Sequence, residues 1–315
     1  MKLSIIIPMF NVEKYINQCL NSLIHQDISS SNYEIVIIND GSTDSSYLKA
    51  SVFQEKYPHV KIYTQQNSGV SSARNKGIEI SSGEYFFFID ADDYIALNSL
   101  KGIVNLANDK QLDMLEFKAV RTRSRNLHAS HHRKNSKQPI QVVSGKDYIQ
   151  SRNFNDGVWS YLYKRDFLLR SEVNFIDGRI MEDMIFNAEL IAKAERIAHC
   201  PMDVYRYVIN PNSIWTTRES IAFRKSIDDF IYMAKNYDYL VNTLASRQFD
   251  TSILEAKLQI MLFNIAKRLL LSNLSFSEIN EIIKQLSSYE LYPIRNLKST
   301  NKYRRVLTYI FNRKY

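Results

Sequence analysis

Three aspartates follow directly on an apolar stretch of the chain. Residues 85–89 are apolar or aromatic, and Asp90, Asp92 and Asp93 come next. A continuous apolar run of this length predicts a buried strand, and ligands of open α/β sheets bind at the carboxyl ends of strands. Because side chains alternate along extended backbone, Asp90 and Asp92 are expected on one side, where they could bind Mg²⁺ or Mn²⁺. The alternative is that Asp92 or Asp93 caps the next helix.

Two other polar segments also follow predicted strands. Asp40 lies in a glycine-containing turn at residues 39–44, where its carboxylate could accept a hydrogen bond from a ring N–H of a nucleobase. The alternative is an ordinary turn and helix cap. Residues 67–77 place Gly69 and Arg74 at the start of a predicted helix, which suits a diphosphate or a sugar. Serine and glycine are common at helix starts, so this segment alone does not decide the function.

Strand and helix patterns alternate along the first hundred residues. Strands are predicted at 3–8, 33–39, 60–65 and 84–89, and helices at 12–26, 45–57 and 70–80. Asn11 is the predicted N-cap of the first helix. A helix at 98–108 and a strand at 113–120 follow. This order predicts an α/β fold, with a mostly parallel sheet flanked by helices on both faces.

The pattern becomes almost continuously helical after residue 218. Helices are predicted at 230–240, 252–271, 277–288 and 301–315. We therefore expect a domain of residues 1–217, divided into 1–95 and 96–217, followed by a helical region at 218–315. The last helix resembles an interfacial helix, because it carries its apolar residues on one face and Arg and Lys elsewhere. These apolar residues are Tyr303, Val306, Leu307, Ile310 and Phe311.

Charge is distributed unevenly along the chain. The net charge is +8, yet residues 1–100 carry 7 Lys and Arg against 11 Asp and Glu, and residues 101–315 carry 34 against 22. Residues 291–315 contain seven basic residues, five aromatic residues and no acid, a combination that favours an anionic surface. Cys19 and Cys200 lie in apolar or periodic segments and are expected to be reduced, as in a cytosolic protein.

No membrane-spanning or exported segment is visible in the sequence. The apolar run after Met1 is short and is interrupted by Pro8, so we do not expect a signal peptide. No run reaches the roughly 18 to 20 apolar residues that span a bilayer.

A basic stretch follows the predicted strand at 113–120, within the second part of the predicted α/β domain. Residues 121–138 contain six Lys and Arg and three histidines but no acid, which predicts a solvated loop. The histidines are His128, His131 and His132. Their spacing would allow zinc ligation on a helix, but no local carboxylate or cysteine completes a tetrahedral site, so a surface loop is the expectation.

The order of the motifs resembles that of the inverting family 2 glycosyltransferases, which have the GT-A fold. The similar blocks are residues 4–15, 39–44, 67–77 and 90–93, in the family's order and at family-like spacing. This resemblance implies a site for a nucleotide sugar, with a UDP-sugar favoured. It does not specify the sugar, the acceptor or the linkage, which depend on the shape of the pocket.

The resemblance implies roles for residues of the nucleoside pocket. Pro8, Asn11 and Glu13 would line this pocket, and Asp40 would meet the base. Arg74 would lie near the nucleotide.

The resemblance also implies contacts to the sugar, the diphosphate and a metal. Asp90 would contact the ribose or the donor sugar and, with Asp92, would ligate Mn²⁺ or Mg²⁺. Asp93 would support these ligands from behind. Arg206 and Ser213 would contact the diphosphate from a closing loop.

An inverting transfer further needs a carboxylate as general base for the acceptor hydroxyl. The resemblance places this base in a Glu-Asp pair at a helix start, and we expect Asp183, with Glu182 as the second candidate. The alternative is that both acids only favour the positive end of a helix dipole. Trp159 lies in a segment that resembles the family's acceptor side, where it could stack on a sugar or be a core residue.

The predicted reaction is a single displacement that inverts the anomeric carbon, on a glycan or lipid-linked acceptor in surface polysaccharide or glycoconjugate synthesis. A nucleotidyltransferase is a second hypothesis, but its glycine-rich loop after the first strand is absent. A nucleic-acid-binding protein is a third, supported by the basic pI of about 9.2 and opposed by the acidic first hundred residues. The basic, aromatic tail instead favours an anionic membrane surface. We therefore expect a cytoplasmic protein on the inner face of a membrane, in an oligomeric state that the sequence leaves open.

Overall fold

The described residues fall into two compact units. A computed structural model describes residues 1–129, 139–209, 220–295 and 302–314. The first unit comprises Met1–Tyr148, Asn155–Arg179 and Phe186–Asn210, and the second comprises Ile149–Phe154, Ile180–Ile185 and Pro211–Tyr315. The boundary predicted between residues 217 and 218 lies outside the described residues and stays a prediction.

Strands and helices alternate along the first part of the chain. In order they are β1 (Leu3–Met9), α1 (Ile16–Ile24), β2 (Tyr33–Asn39), α2 (Ser46–Lys56), β3 (Val60–Thr64), α3 (Val70–Ile80), β4 (Tyr85–Phe88), β5 (Tyr94–Ile95) and α4 (Leu100–Asp109). They continue as β6 (Met114–Thr122), β7 (Val142–Val143), α5 (Gly145–Ser151), β8 (Tyr161–Lys164), α6 (Arg165–Ser171), α7 (Glu182–Lys193) and β9 (Ile197–Val208). A short 3₁₀ helix at Val158–Ser160 precedes β8.

These strands form one mixed sheet in the first unit. Their order is β3-β2-β1-β4-β8-β6-β9-β5, and β7 pairs with β9. The strands β3, β2, β1 and β4 are parallel to one another, as are β6 and β9. The strands β5, β7 and β8 run antiparallel to their neighbours. The predicted α/β fold is confirmed, and these three short strands make the sheet mixed.

Helices cover both faces of the parallel part of the sheet, as its apolar strands require. Ile5 and Ile7 of β1 belong to a core cluster that also contains residues of α1 and α4. Ile6 points to the other face and meets α3 at Gly77, where an added Cβ would come within 2.3 Å of the Ile6 side chain. Glycine is therefore required at position 77 for α3 to pack this closely on β1.

The parallel strands end at the same edge of the sheet. In register, Met9 is level with Asn39, and Ile6 is level with Phe88. The N–H of Asp40 donates to the Met9 carbonyl at 2.9 Å, which continues this order beyond the strands. The polar segments after β1, β2 and β4 therefore begin side by side.

From residue 220 onward, the described residues of the second unit form four helices. They are α8 (Ser220–Ser246), α9 (Ser252–Leu270), α10 (Phe276–Ser288) and α11 (Lys302–Lys314). Helix α10 begins with a capping box, in which Ser275 and Glu278 satisfy each other's backbone N–H groups. No helix among the described residues is long and apolar enough to cross a membrane.

The apolar face predicted for the last helix is divided in the structure. Phe311 is fully buried and packs edge-to-face on Tyr292, with ring centroids 6.1 Å apart. Val306 is 47% exposed and Ile310 is 44% exposed, and their neighbour Tyr309 is 52% exposed. The prediction of one continuous interfacial face was therefore wrong, because the side of α11 that carries Phe311 packs within the unit.

Candidate functional site

The segment after β1 is tied to the segment after β2 by side chains of both. The amide oxygen of Asn11 accepts hydrogen bonds from the N–H groups of Thr43 and Asp44, at 2.8 and 3.3 Å. The carboxylate of Glu13 accepts one from the N–H of Ser45 at 3.1 Å. Asn11 has a φ of 50° and lies before the start of α1 at Ile16, so our prediction that it caps this helix was wrong.

These contacts leave the predicted pocket residues in different surroundings. Pro8 is half-buried within β1, level with Ile38 of β2. Asn11 is exposed, and Glu13 is half-buried. Asn11 and Glu13 therefore brace the loop after β2 as well as bordering the edge where the strands end.

Asp40 is held by the loop that leads into α3. Its Oδ1 accepts hydrogen bonds from the side chain of Gln65 at 2.8 Å and from the N–H of Ser68 at 2.9 Å. Its Oδ2 accepts one from the N–H of Gly69 at 2.8 Å. Gly69 has a φ of 92°, a conformation that favours glycine. A carboxylate has about four acceptor positions, so Oδ2 of the buried Asp40 retains one for a further donor.

The three aspartates after β4 form a turn instead of continuing the strand. Strand β4 ends at Phe88, and the N–H of Asp93 donates to the carbonyl of Asp90 at 3.0 Å, which closes the turn. The alternation of an extended strand therefore does not apply to Asp90 and Asp92, and that basis for our prediction was wrong. The turn still places all three carboxylates at the carboxyl end of β4.

Arg74 of α3 pairs with the first of these aspartates. Its Nη2 lies 2.9 Å from Oδ1 of Asp90, and its guanidinium carbon lies 5.3 Å from the ring centroid of Phe175. The side chain of Arg74 is only 4% exposed. A buried guanidinium beside a carboxylate has a fixed direction, so this cation stays at the edge where the strands end.

Burial and like charges raise the pKa values of the other two aspartates. Burial raises the pKa of Asp92 to about 6, and the negative charge of Asp90 adds to this. Burial likewise raises the pKa of Asp93 to about 8, with Asp90 and Asp92 adding to it. Since these values exceed that of an unfolded aspartate, ionisation of the turn opposes folding as the pH rises above about 4. A cation bound at the turn would offset this cost.

The donor set fits a metal that takes most of its ligands from water and substrate. Among the described residues, no group of three or more His, Cys, Asp and Glu side chains could hold a metal ion alone. Mg²⁺ and Mn²⁺ accept one or two carboxylates together with phosphate oxygens. Asp92 suits this role better than Asp90, because one oxygen of Asp90 is already engaged by Arg74.

Arg125 lies beside the acidic turn, although the sequence suggested only a solvated loop there. Its Nη1 donates to the carbonyl of Asp92 at 3.3 Å and to the side chain of Gln18 at 3.2 Å. Its guanidinium carbon lies 4.2 Å from the ring centroid of Tyr15. The positive charge of Arg125 lowers the pKa of Asp92, against the larger effect of burial. The contact is visible only in the tertiary structure, because the segment after β6 comes back to the edge where the strands end.

Arg206 has a structural role, which corrects the predicted contact with a diphosphate. The side chain is fully buried, and its Nε and Nη2 donate to the carbonyls of Leu127 and Ala129, at 2.9 and 2.7 Å. Nη1 donates to the carbonyls of Asp203 and Tyr205, and Nη2 also donates to the Asp203 carboxylate. All five N–H donors are thus used within the protein.

The other residue predicted to contact the diphosphate, Ser213, lies outside the described residues. The same holds for His131 and His132 of the possible zinc group. His128 is described, and its carbonyl accepts the N–H of Leu97 at 2.9 Å.

The two acids predicted to supply the general base lie at the start of helix α7. Glu182 is buried and Asp183 is half-buried, and both lie in the first turn, where carboxylates favour the helix dipole. Met181 lies directly before them and has a φ of 65°, which is uncommon for a residue other than glycine. Strained backbone of this kind clusters at functional sites. Both acids belong to the second unit.

Helix α7 is fixed in the first unit one turn later. Asn187 is fully buried, accepts the hydroxyl of Tyr163 at 2.6 Å and donates to the carbonyl of Asp156 at 2.7 Å. Phe186 stacks on Phe175 with ring centroids 3.8 Å apart. The part of α7 from Phe186 onward is therefore anchored in the first unit.

Trp159 is stacked on a buried tyrosine of β9. Its ring lies 5.0 Å from that of Tyr205, with 17° between the planes, and 5.4 Å from that of Tyr207. Trp159 and Tyr207 are half-buried, whereas Tyr205 is fully buried. Trp159 thus packs on the core of the first unit and keeps part of its surface in solvent.

Comparison with known proteins identifies the family. The family described as glycosyl transferase family 2 matches residues 4–169, more than half of the chain. The chain belongs to glycosyl transferase family 2. This assignment confirms the resemblance seen in the motifs and favours a glycosyltransferase over the nucleotidyltransferase and nucleic-acid-binding hypotheses.

Curated relatives of this glycosyltransferase agree with the family. It is 32% identical over 68% of its length to the uncharacterized glycosyltransferase YibD of Escherichia coli (strain K12) and spans 63% of that protein. It is 30% identical over 91% of its length to the uncharacterized glycosyltransferase EpsJ of Bacillus subtilis (strain 168), of which it spans 84%. A third relative is the poly(ribitol-phosphate) beta-glucosyltransferase of Bacillus spizizenii, 31% identical over 66% of the chain and 32% of the relative. The chain thus spans less than two thirds of two of these relatives.

Solved structures show the same fold. The crystal structure of S. aureus TarS 1-349 in complex with UDP-GlcNAc matches with a TM-score of 0.67 and 22% identity, over 92% of this chain and 81% of that one. Mannosyltransferase PcManGT from Pyrobaculum calidifontis, in complex with GDP-Man and Mn2+, matches with a TM-score of 0.55 and 16% identity, over 99% and 86%. The expected GT-A fold is thereby confirmed.

Replacing Arg206 by methionine should destabilise the folded protein. The change removes the hydrogen bonds that Arg206 donates to the buried Asp203 carboxylate and to four backbone carbonyls. Breaking a buried ion pair costs about 3–5 kcal/mol. Arg121→Met is a matched control, because Arg121 is exposed and its guanidinium carbon lies 5.3 Å from the Tyr207 ring centroid, a contact whose loss should cost about 1 kcal/mol or less. Urea denaturation measures both. A free energy of unfolding equal to that of the wild type in Arg206→Met would contradict the structural role.

Proposed function

We propose that this glycosyltransferase moves a sugar from a UDP-sugar to a hydroxyl group of a glycan or lipid-linked acceptor, with inversion, in surface polysaccharide or glycoconjugate synthesis. The observation that carries the proposal is the meeting of Asp40, Arg74 and the acidic turn where the parallel strands end. A base-recognising carboxylate, a cation and metal ligands are the groups that a nucleotide sugar needs. S. aureus TarS in complex with UDP supports the choice of nucleotide.

The donor nucleotide is recognised from the edge of the sheet. Asp40 accepts a ring N–H of the uracil with the remaining acceptor position of its Oδ2. Pro8, Asn11 and Glu13 border the nucleoside, and the bonds of Asn11 and Glu13 to the loop after β2 keep this border rigid. Arg74 supplies positive charge near the diphosphate. Rigid placement of these groups lowers the entropy cost of binding.

Asp92 would be the principal protein ligand of a Mn²⁺ or Mg²⁺ ion, and Asp90 would contact the ribose or the donor sugar and assist in holding the ion. A bound ion would supply positive charge for the leaving diphosphate. The chain itself supplies the closely spaced carboxylates, which favour a cation. Arg74 and Arg125 hold the turn through Asp90 and the carbonyl of Asp92. Asp93 supports the turn from within the protein.

Asp183 is the general base, and Glu182 is the second candidate. Asp183 is half-buried whereas Glu182 is buried, so Asp183 is the more accessible to an acceptor. Its carboxylate takes the proton of the acceptor hydroxyl as the oxygen attacks the anomeric carbon. The bond to the nucleoside diphosphate breaks on the opposite face in the same step, so the configuration inverts and no covalent enzyme intermediate forms.

The acceptor is expected at an anionic surface on the cytoplasmic side of a membrane. The exposed side of α11 combines Val306, Tyr309 and Ile310 with Arg305 and Arg313, the composition of a helix that lies in a lipid interface. Arg313 contacts the Tyr309 ring at 4.9 Å. Relatives that act on poly(ribitol-phosphate), an anionic polymer, agree with an anionic acceptor environment.

The donor site is tested by calorimetric titration of UDP with and without Mn²⁺. Binding should require Mn²⁺ and should be lost in Asp92→Asn. Because burial raises the pKa of Asp92 to about 6, protons compete with the metal below this pH, and the Mn²⁺ needed for half-maximal binding should rise as the pH falls from 7 to 5. GDP serves as the competing nucleotide. Metal-independent binding of UDP, or a preference for GDP, would contradict the proposed donor.

The base is tested by carboxamide variants that keep the shape of each side chain. Asp183→Asn should reduce kcat by about 10²–10⁴-fold, the usual contribution of a general base, while UDP binds as in the wild type. Turnover is measured as UDP release from UDP-sugars with poly(ribitol-phosphate) and oligosaccharide acceptors. Glu182→Gln is the matched comparison. If Glu182→Gln removes activity and Asp183→Asn does not, the assignment of the base is reversed.

Membrane association is tested on the exposed side of α11. Deleting residues 291–315 should release the protein from membranes, but it also removes the buried Phe311. The variant Val306→Ser, Ile310→Ser, Arg313→Glu leaves Phe311 in place and should bind vesicles with anionic phosphatidylglycerol at least tenfold more weakly, since each nearby basic residue contributes about 1 kcal/mol. Arg247→Glu, at an exposed position after α8, is the charge control. Equal cosedimentation of all proteins would refute the membrane proposal.

A further inference from the structure

One buried hydroxyl contacts both ends of the acidic turn. The hydroxyl oxygen of Tyr205 accepts the backbone N–H of Asp90 at 3.2 Å. The same hydroxyl donates to Oδ2 of Asp93 at 2.7 Å. Tyr205 therefore joins the first and the last residue of the turn that carries Asp92.

Strand β9 holds the other oxygen of the last aspartate as well. The N–H of Val208 donates to Oδ1 of Asp93 at 2.7 Å. Both oxygens of this carboxylate are thus occupied by groups of one strand, three residues apart. Since Asp93 is only 3% exposed, its carboxylate is anchored in the protein and supports the turn from behind.

The ring of Tyr205 leaves its hydroxyl little freedom. The side chain is fully buried, stacked on Trp159 and packed edge-to-face on Phe87, with ring centroids 6.5 Å apart. Because the side chain is fully buried, the residue acts on the site through the turn.

We propose that Tyr205 is a positioning residue for the acidic turn and sets how well Asp92 and Asp90 bind the divalent cation of the donor complex. The inference rests on the proposed function. A metal ligand is only as well placed as the groups that orient it, and loss of one such group typically weakens metal binding about 10- to 100-fold. The hydroxyl contacts both ends of the turn, so the backbone segment that carries Asp92 is tied to β9.

The test is Tyr205→Phe, which keeps the ring and removes only the hydroxyl. In UDP titrations at a series of Mn²⁺ concentrations, half-maximal binding should require about tenfold more Mn²⁺ than in the wild type. At saturating Mn²⁺, UDP affinity and kcat should return close to the wild-type values. Tyr207→Phe is the matched control, because it removes a hydroxyl from the same strand two residues later and should leave the Mn²⁺ dependence unchanged.

A purely structural role gives a different result. If Tyr205→Phe lowers the melting temperature of the metal-free protein but needs no more Mn²⁺ than the wild type, the inference is overturned. Asp93→Asn changes the other partner of the same hydrogen bond and can be used if Tyr205→Phe does not fold.

Asp93→Asn should raise the Mn²⁺ requirement as well. The double variant should show less than the sum of the two effects, because both changes disturb one hydrogen bond. Additive effects would overturn the inference.

Failure of this inference is distinguishable from failure of the proposed function. If Asp92→Asn binds UDP as the wild type does, the donor site itself is wrongly assigned. If Asp92→Asn loses Mn²⁺-dependent binding while Tyr205→Phe and Asp93→Asn both retain the wild-type Mn²⁺ requirement, the donor site stands and only the positioning role of Tyr205 is refuted.

Discussion

Three carboxyl groups share one turn after β4, and the protein must hold them together although their ionised forms repel one another. Burial and mutual repulsion raise the pKa values of Asp92 and Asp93, so at neutral pH the turn opposes folding. Several elements supply the opposing contacts: α3 through Arg74, the segment after β6 through Arg125, and β9 through its backbone and Tyr205. A turn held in this way against repulsion is prepared to accept a cation.

The loops at the carboxyl ends of β1 and β2 are built on the same plan. Each is held by polar side chains of its neighbour: Asn11 binds the N–H groups after β2, and Asp40 binds those that lead into α3. Each backbone donor satisfied in this way is spared the cost of desolvation without a partner. The proposed nucleotide pocket is therefore bordered by one connected set of hydrogen bonds, which agrees with a site formed before its ligand arrives.

Arginine shows how burial separates two roles of one residue type. Arg74 directs its guanidinium to Asp90 at the edge of the sheet, whereas Arg206 uses all five donors on carbonyls and on Asp203 inside the first unit. A sequence motif shows only that an arginine follows Tyr205. The direction of the side chain is decided by the segment at 127–129, which is distant in sequence and returns to β9 through the tertiary fold.

The sequence by itself determined the alternation of strands and helices, the edge at which Asp40 and Asp90 lie, and the family. Apolar periodicity and turn residues act locally, so they are readable without the fold. The tertiary structure decided that the aspartates form a turn, that Asn11 binds the neighbouring loop instead of capping α1, and that Phe311 faces inward. It also brought Arg125 and Tyr205 to the acidic turn. These outcomes depend on contacts between residues far apart in the chain. The free energies of such contacts cannot be read from a local sequence pattern.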